Sequence, residues 1–231
     1  LQTPVFVMSD LDLGMNTWMS DPFRYPDKPW DRGKVLGAAD LERLGKFERY
    51  RDVDGDAIPY RTLPGTPHPL AAYFTRGSGH DEQARYTESS EAYPRVMDRL
   101  ARKFETARGL VPPPTVDSAA GAEVGLVAFG STHHAMREAR DLMLQDGLKT
   151  SYALIRAYPF SKEVRRFVEA HERIYVVEQN RDAQMAALLR MDMPNLAPRL
   201  RSVLHYDGLP IDAATIVDGV RSQERTEVTA R

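Results

Sequence analysis

Over the second half of the chain, short apolar runs of strand length alternate with amphipathic stretches of helical period. The predicted strands lie at residues 125–129, 152–157, 173–177 and 201–206. The predicted helices lie at residues 133–145, 162–171, 183–190 and 212–221. Such regular alternation favours an α/β fold with a mainly parallel open sheet and helices on both faces.

The first half of the chain is less regular. Residues 4–8 form a short apolar run before a polar turn, which predicts a strand that ends there. A long crossing loop follows to residue 56, interrupted by a short helix at 39–43. Beyond it, the pattern predicts a strand pair at 58–63 and 71–75, a helix from about 87 to 108, a mobile connection at 110–121 and a frayed end at 222–231.

Composition narrows the classes of function. Hydrophobic residues make up 42% of the chain, enough for a sizeable core. The 31 basic and 33 acidic residues nearly cancel, so we expect no nucleic-acid or anionic-membrane partner. The absence of cysteine excludes disulfides, thiolate-held zinc and cysteine-ligated iron–sulfur clusters within this chain.

The apolar runs are too short to span a membrane, which favours a soluble, cytoplasmic protein. The sequence starts without an initiator Met, which suggests a piece of something longer.

Two polar segments follow predicted strands. The turn Gly130-Ser131-Thr132 places backbone amides and two hydroxyls at the start of a helix, where an anion could bind, although Ser and Thr are also ordinary helix caps. The segment Glu178-Gln179-Asn180 brings a carboxylate to the carboxyl edge of the sheet, where open parallel sheets gather ligands or partners. The alternative is that Glu178 caps the next helix or pairs with an Arg.

Three further groups carry weaker signals. The segment Arg76-Gly77-Ser78-Gly79-His80 could bring amides close to an anion or could be a tight turn. The acids of Asp52-Val53-Asp54-Gly55-Asp56 are spaced like half of a calcium loop, but the second half is missing, so a solvated turn is favoured. His133 and His134 are adjacent and point apart on a helix, so we predict no metal site, and no catalytic triad is evident.

Several longer strings resemble the alpha subunit of 2-oxoacid:ferredoxin oxidoreductases, in particular its 2-oxoglutarate type. In the first half these strings are Ser9-Asp10-Leu11-Asp12-Leu13-Gly14-Met15-Asn16, Asp31-Arg32-Gly33-Lys34-Val35-Leu36, residues 52–66 and Tyr73-Phe74-Thr75-Arg76-Gly77-Ser78-Gly79-His80. They continue with residues 97–108, Gly130-Ser131-Thr132-His133 and Tyr175-Val176-Val177-Glu178-Gln179-Asn180-Arg181-Asp182.

The resemblance implies an enzyme that oxidatively decarboxylates a 2-oxoacid, transfers the acyl group to coenzyme A and passes electrons to ferredoxin. It implies thiamine diphosphate with Mg at a subunit interface, a 4Fe-4S cluster on a partner beta subunit, and no cofactor held by this chain alone. The family's Tyr-Pro-Ile-Thr-Pro motif is missing here, so no catalytic residue is assigned and the chain is expected to be inactive alone.

The same resemblance implies a domain division and an assembly role within an alpha–beta hetero-oligomer. Residues 1–16 would end the pyrimidine-side domain, 17–56 would be the crossing linker, 57–222 would form a transketolase carboxyl-terminal-like domain, and 223–231 a frayed tail. Asp10, Asp12, Gly14 and Asn16 would lie nearest to the cofactor. Arg76 to His80, Gly130 to Thr132 and Glu178 to Asn180 would be interface or anion-binding candidates.

Two other functions fit the pattern. The chain could be the carboxyl-terminal part of a 2-oxoacid dehydrogenase beta chain, because the same fold serves both enzymes. It could also be a non-catalytic module that binds a small anion at Gly130-Ser131-Thr132 and regulates a partner.

Overall fold

A computed structural model describes residues 1–74 and 79–230, with side chains up to residue 225. Its helices are α1 (Leu11–Met15), α2 (Ala38–Leu44), α3 (Ala92–Arg108), α4 (His133–Gln145), α5 (Lys162–Glu169), α6 (Gln184–Asp192) and α7 (Ala213–Ala230). Its strands are β1 (Thr115–Asp117), β2 (Val124–Ala128), β3 (Thr150–Leu154), β4 (Arg173–Glu178) and β5 (Leu200–Leu204). The contacts divide the chain into two compact units, Leu1–Phe6 with Ser20–Leu110, and Val7–Met19 with Val111–Arg231.

The second unit, called here the sheet unit, contains five strands in the order β1-β3-β2-β4-β5. The four strands from β2 to β5 are parallel, and β1 pairs antiparallel with β3 at one edge. All five residues of β2 are buried, which is typical of a central parallel strand covered on both faces. The α/β fold with a mainly parallel open sheet is therefore confirmed.

Helices pack on both faces of this sheet. Core residues of α4 and α7, including Met136, Met143 and Ile216, contact one face. Core residues of α5 and α6, including Phe167 and Leu189, contact the other. This layering follows from the sequence, since apolar positions recur at helical spacing and the strands between them are apolar throughout.

The order of the strands creates a crevice. The chain leaves β2 towards β3 on one side and leaves β4 towards β5 on the other, so the two connections diverge. In open α/β sheets, the crevice between the carboxyl ends of two such strands is the common location of ligand sites. The segments after β2 and β4 therefore meet at this topological switch point.

The first unit, called here the linker unit, consists of α2, α3 and loops. Its irregular backbone is held by polar side chains of α3: Arg99 donates to the Ala57 carbonyl oxygen at 3.0 Å, and Thr106 donates to the Asp56 carbonyl oxygen at 2.7 Å. The helix predicted at 87–108 is confirmed as α3, and that at 39–43 as α2.

Four predictions of local structure are wrong. Residues 4–8 form no strand, because they are exposed and pair with no described strand. The expected pair at 58–63 and 71–75 is replaced by a single bridge from Arg61 to Val35 and a 3-10 turn at Pro69–Ala71, while Thr75 lies outside the described residues.

The other two concern the sheet unit. The expected mobile connection at 110–121 contains the edge strand β1. The expected frayed end at 222–231 is helical as far as Ala230, and residue 231 lies outside the described residues. Within this helix, Glu224 accepts hydrogen bonds from Tyr175 at 2.7 Å and from Arg173 at 2.9 Å. None of the described helices is long and apolar enough to cross a membrane.

Candidate functional site

A cavity of about 610 Å³ opens at the switch point of the sheet unit. Its wall is built by the segment before and within α1 and by the loops that follow β2, β4 and β5. The lining residues are Asp10, Leu11, Asp12, Met15, Phe129, Ser131, Thr132, Gln179, Asn180, Gln184, His205, Tyr206, Gly208, Leu209 and Pro210. Three groups that the sequence singled out separately, around Asp10, Ser131 and Gln179, are thus brought together.

The Asp10 carboxylate occupies the anion position at this edge of the sheet. One oxygen accepts from the backbone amide of Leu13 at 2.9 Å, and the other accepts from the backbone amide of Ser131 at 3.0 Å. Partial burial acts to raise the pKa of Asp10, but these hydrogen bonds outweigh it and hold the pKa below its ordinary value. The free anion site predicted at residues 130–132 is therefore filled by a side chain of the same chain.

Gly130 permits this contact. Its φ is +60°, and a Cβ at this position would lie 2.9 Å from a carboxylate oxygen of Asp10. Only glycine combines that backbone angle with room for the carboxylate at low cost. The turn continues as a 3-10 segment, Gly130–Thr132, that leads directly into α4.

Gln179 connects two of the loops. Its side-chain amide donates to the hydroxyl oxygens of Ser131 at 3.1 Å and Thr132 at 3.2 Å, and its carbonyl oxygen accepts from the backbone of Ile211 at 3.2 Å. The hydroxyls do not cap α4. The alternative in which Ser131 and Thr132 are ordinary caps is wrong, since they hold Gln179 instead.

Glu178 points away from the cavity and caps α6. It is fully buried, and its carboxylate accepts from the backbone amides of Met185 at 2.8 Å and Ala186 at 3.1 Å. Asn180 donates to the same carboxylate at 2.8 Å. The alternative that Glu178 caps the next helix is therefore confirmed. Its side chain is not among those that line the cavity.

The remaining members of the Asp10 group differ in placement. Asp12 lines the cavity, and none of the described residues forms a hydrogen bond or ion pair with its carboxylate. Gly14 lies in α1 with open space around it, and Asn16 ends α1 by donating its backbone N–H to the Asp12 carbonyl oxygen. Their proximity to a cofactor stays a prediction.

The Arg76-to-His80 segment belongs to the linker unit. Arg76, Gly77 and Ser78 lie outside the described residues. His80 pairs with Tyr86 in an isolated bridge and stacks on Tyr50 with 3.9 Å between ring centroids. Gly79 is needed for a close turn, because a Cβ there would lie 2.7 Å from the Thr87 carbonyl oxygen.

The acidic segment 52–56 of the linker unit forms ion pairs with the side chain of Lys34. The Lys34 ammonium lies 2.6 Å from Asp54 and 2.7 Å from Asp56. Burial acts to lower the pKa of Lys34, but both carboxylates outweigh it and raise the pKa. A lysine thus takes the position that the spacing of the acids would offer to calcium.

His133 and His134 have separate aromatic partners. His133 hydrogen-bonds the Tyr152 hydroxyl at 3.0 Å, and His134 stacks on Trp18 with 4.3 Å between centroids. Burial, and then the charge of His134, lowers the pKa of His133. Within the described part of the chain, no group of three or more His, Asp or Glu side chains is placed to hold a metal ion.

Sequence reasoning missed the part of the cavity that follows β5. His205, Tyr206 and Leu209 line it, and their loop is held by hydrogen bonds from the Leu209 amide to Asp207 at 2.9 Å and between His205 and the Leu209 carbonyl oxygen at 2.8 Å. The predicted strand at 201–206 could have indicated these residues, because the segments that follow parallel strands all lie at the same edge of the sheet.

The lining residues define what the cavity can bind. Its lining includes Asp10 and Asp12 but neither Lys nor Arg, and all lining residues are among those described. A diphosphate requires cationic or amide donors. The Ser131 backbone amide already donates to Asp10, and the side-chain amides of Gln179 and Asn180 already donate to protein oxygens. The cavity therefore does not fit the diphosphate of thiamine diphosphate, and the cysteine-free chain does not fit an iron–sulfur cluster.

Two curated proteins are similar to this chain over most of its length. The chain is 28% identical over 227 residues to 2-oxoacid:ferredoxin oxidoreductase 2, subunit alpha, of Aeropyrum pernix, a match covering 95% of this chain and 34% of that subunit. It is 24% identical over 197 residues to 2-oxoacid:ferredoxin oxidoreductase subunit alpha of Saccharolobus solfataricus, covering 83% of this chain and 30% of that subunit. No protein-family model matches.

A solved structure shares the fold. It is the 2-oxoglutarate:ferredoxin oxidoreductase from Magnetococcus marinus with 2-oxoglutarate, coenzyme A and succinyl-CoA bound, with a TM-score of 0.65 and 23% identity. The similarity covers 84% of this chain and 32% of that one. The chain spans about a third of the length of the curated relatives it matches, and it resembles one segment of their alpha subunits.

Proposed function

We propose that this chain serves as the carboxyl-terminal segment of the alpha subunit of a 2-oxoacid:ferredoxin oxidoreductase, with 2-oxoglutarate as the 2-oxoacid. The complete enzyme would decarboxylate the substrate oxidatively, form acyl-CoA and reduce ferredoxin. The observation that carries the proposal is sequence similarity to such alpha subunits over 95% of the chain.

The role of this segment within the enzyme is assembly. Thiamine diphosphate with its Mg would lie at the interface with a beta subunit, and that subunit would hold the 4Fe-4S cluster. When bound there, thiamine supplies the carbanion chemistry of decarboxylation. The described residues do not fit the diphosphate or the cluster, so no chemical step is assigned to them.

The described residues at the cavity hold several chain segments in fixed positions. The Asp10–Ser131 contact fixes the segment 9–16 against the sheet edge, and Gln179 ties the loops after β2, β4 and β5 together. A rigid edge of this kind is what a subunit interface around a cofactor requires, because catalysis there depends on excluded water and preorganised groups. This arrangement supports the assembly role.

The test is reconstitution of the enzyme. The complete gene product that contains this sequence is co-expressed with the beta subunit encoded in the same genome, and viologen reduction is followed with 2-oxoglutarate, coenzyme A and thiamine diphosphate. We expect 2-oxoglutarate- and coenzyme-A-dependent reduction by the complex and none by either chain alone. Activity that requires lipoamide, or a monomer that never binds the beta subunit, would overturn the proposal.

A further inference from the structure

Three basic side chains of the linker unit, Arg49, Arg99 and Lys103, converge at one place and are called here the cation cluster. Arg99 and Lys103 are one turn apart on the same face of α3, and they are only 5% and 8% exposed. Arg49 lies in the loop after α2. It and Arg99 donate to carbonyl oxygens of the same short segment, 57–60, at 3.4 Å and 3.0 Å. Burial, and then the charges of Arg99 and Arg49, lowers the pKa of Lys103.

None of the carboxylates among the described residues forms an ion pair with this cluster. Lys103 donates to the Gln2 carbonyl oxygen at 3.4 Å, so the acceptors of all three side chains are neutral. Burial lowers the pKa of Arg99, and the charge of Asp52 opposes this only in part. The ion pair of Asp52, at 3.7 Å, is with Arg102. Arginine does not lose its proton, and buried cations without a counter-charge are costly, so the cluster carries an excess of positive charge.

Two donor groups of the cluster also lack an acceptor. The Nε atoms of Arg49 and Arg99 are buried, and no group in the described part of the chain accepts a hydrogen bond from them. Buried donors in folded proteins are nearly always paired, so these two require an acceptor from outside the chain. Guanidinium N–H groups form a fork that binds two oxygens of a carboxylate or phosphate together. The unpaired atoms are therefore those that an oxyanion would engage.

The occupant of such a site must be small. Arg99 and Lys103 are almost fully buried within the linker unit, so they present too little surface for another polypeptide to lie against. Arg49, in contrast, also lines a cavity of about 440 Å³. The described lining of this cavity includes one further cation, Arg85, and neither Asp nor Glu. An anion can thus reach the Arg49 guanidinium without passing an opposing carboxylate.

We propose that the cation cluster binds a divalent oxyanion of the phosphate type, held by the guanidinium groups of Arg49 and Arg99 and by the ammonium of Lys103. A doubly charged anion offsets most of the positive charge, and its several oxygens can accept from all three side chains. Bound there, it links α3 to the loop after α2. The inference goes beyond the proposed function and does not depend on it.

The experiment uses the complete gene product that contains this sequence, with inorganic phosphate as the probe in chloride buffers of matched ionic strength. Calorimetry measures binding, and hydrogen–deuterium exchange of peptides from α3 measures local stability. At a phosphate concentration ten times the Kd, the α3 amides should exchange about tenfold more slowly, because the anion binds only the closed form. Acetate should bind about tenfold more weakly, since it carries a single charge.

Lys103→Met distinguishes an anion site from a lysine with a purely structural role. The substitution removes one unpaired buried charge and keeps an apolar side chain of similar length. In chloride alone, the α3 amides of this variant should therefore exchange more slowly than those of the wild type. Its affinity for phosphate should fall about tenfold. Faster exchange in chloride would show that the contact with the Gln2 carbonyl oxygen outweighs charge repulsion, and it would overturn the inference.

Arg49→Gln is the second variant, and it should weaken phosphate binding about tenfold from the cavity side of the cluster. Arg95→Met is the matched control, since Arg95 is an exposed cation of the same helix, and it should change neither binding nor exchange. The inference would be overturned if the wild type bound no phosphate, if acetate bound equally well, or if Arg95→Met lost as much affinity as Lys103→Met. Viologen reduction by the assembled enzyme tests the proposed function separately.

Discussion

Glu178 is a buried carboxylate that stabilises the start of a helix. Its oxygens accept from the amides of Met185 and Ala186, which have no partner within α6. We expect Glu178→Ala to lower the free energy of unfolding by about 2–3 kcal/mol, because buried amides would lose their acceptor. Urea denaturation measures this.

Glu138→Ala is the control for that substitution, since Glu138 is an exposed residue of α4. Its effect should stay within about 0.5 kcal/mol. Glu178→Gln keeps one acceptor oxygen and should fall between the two. An effect of Glu178→Ala no larger than that of the control would show that other groups satisfy the α6 amides.

Asp10 makes a pH-dependent contact. Its pKa in the folded chain lies below the ordinary value of 3.8, so its stabilising contribution is complete above that value and is lost as the pH falls through the folded pKa. Trp18 stacks on His134 in the same unit and reports the position of the segment. We expect the fluorescence of Trp18, isolated by Trp30→Phe, to change as the contact is lost in acid.

The control for this transition is Asp10→Asn. In that variant the fluorescence should already resemble the acid form at neutral pH and should change little between the two. A transition of equal size in Asp10→Asn would mean that another group causes it.

At the scale of elements, Gly125 sets the distance between β2 and α5. A Cβ at this position would lie 2.6 Å from Ile174 and 3.0 Å from Phe167, both buried. Glycine within a central strand usually marks such a close approach. We expect Gly125→Ala to lower the free energy of unfolding by about 1–3 kcal/mol through overpacking, measured in urea.

Gly14→Ala is the control, since it is the same substitution inside a helix, α1, where an added Cβ meets nothing within 4 Å. Its effect should be small and of opposite sign, since alanine is the better helix former by about 1 kcal/mol. If Gly125→Ala were equally harmless, the α5 face of the sheet would have to be loosely packed.

At the scale of the whole molecule, the most unusual feature is a run of exposed apolar residues near the start of the chain. More than 70% of the surface of each of these side chains is accessible: Val5, Phe6, Val7, Met8, Leu11, Met15, Met19, Phe23, Tyr25 and Trp30. Surface of this kind marks an interaction site or promotes aggregation. It agrees with a chain that works inside an assembly.

We expect Phe6→Ser, Met19→Ser and Phe23→Ser combined to reduce self-association of the isolated chain and its binding of anilinonaphthalene sulfonate. The urea midpoint should not fall, because each side chain is at least 83% exposed and packs against little. Leu126→Ser, at a fully buried position, should lower the midpoint strongly. Loss of stability in the triple variant would contradict the exposure of these residues.

Local pattern was enough for the elements of the sheet unit. The helices α4 to α6 and the strands β2 to β5 lie within a few residues of their predicted positions, because apolar periodicity and burial agree there. The local sequence pattern did not predict the structure of residues 4–8 or the strand β1 correctly. An apolar run becomes a strand only if a partner strand is available, and the three-residue β1 is defined by its pairing with β3 rather than by its own composition.

The amino-acid sequence by itself determined the fold class, the parallel sheet and the segments that gather at its carboxyl edge. Only the tertiary structure decided which of their side chains face the cavity. Asp10 is 121 residues from Ser131 in the chain, and their contact depends on strand order and on Gly130. Glu178, adjacent to the cavity residue Gln179, turns the other way because successive residues at a strand end point to opposite faces of the sheet.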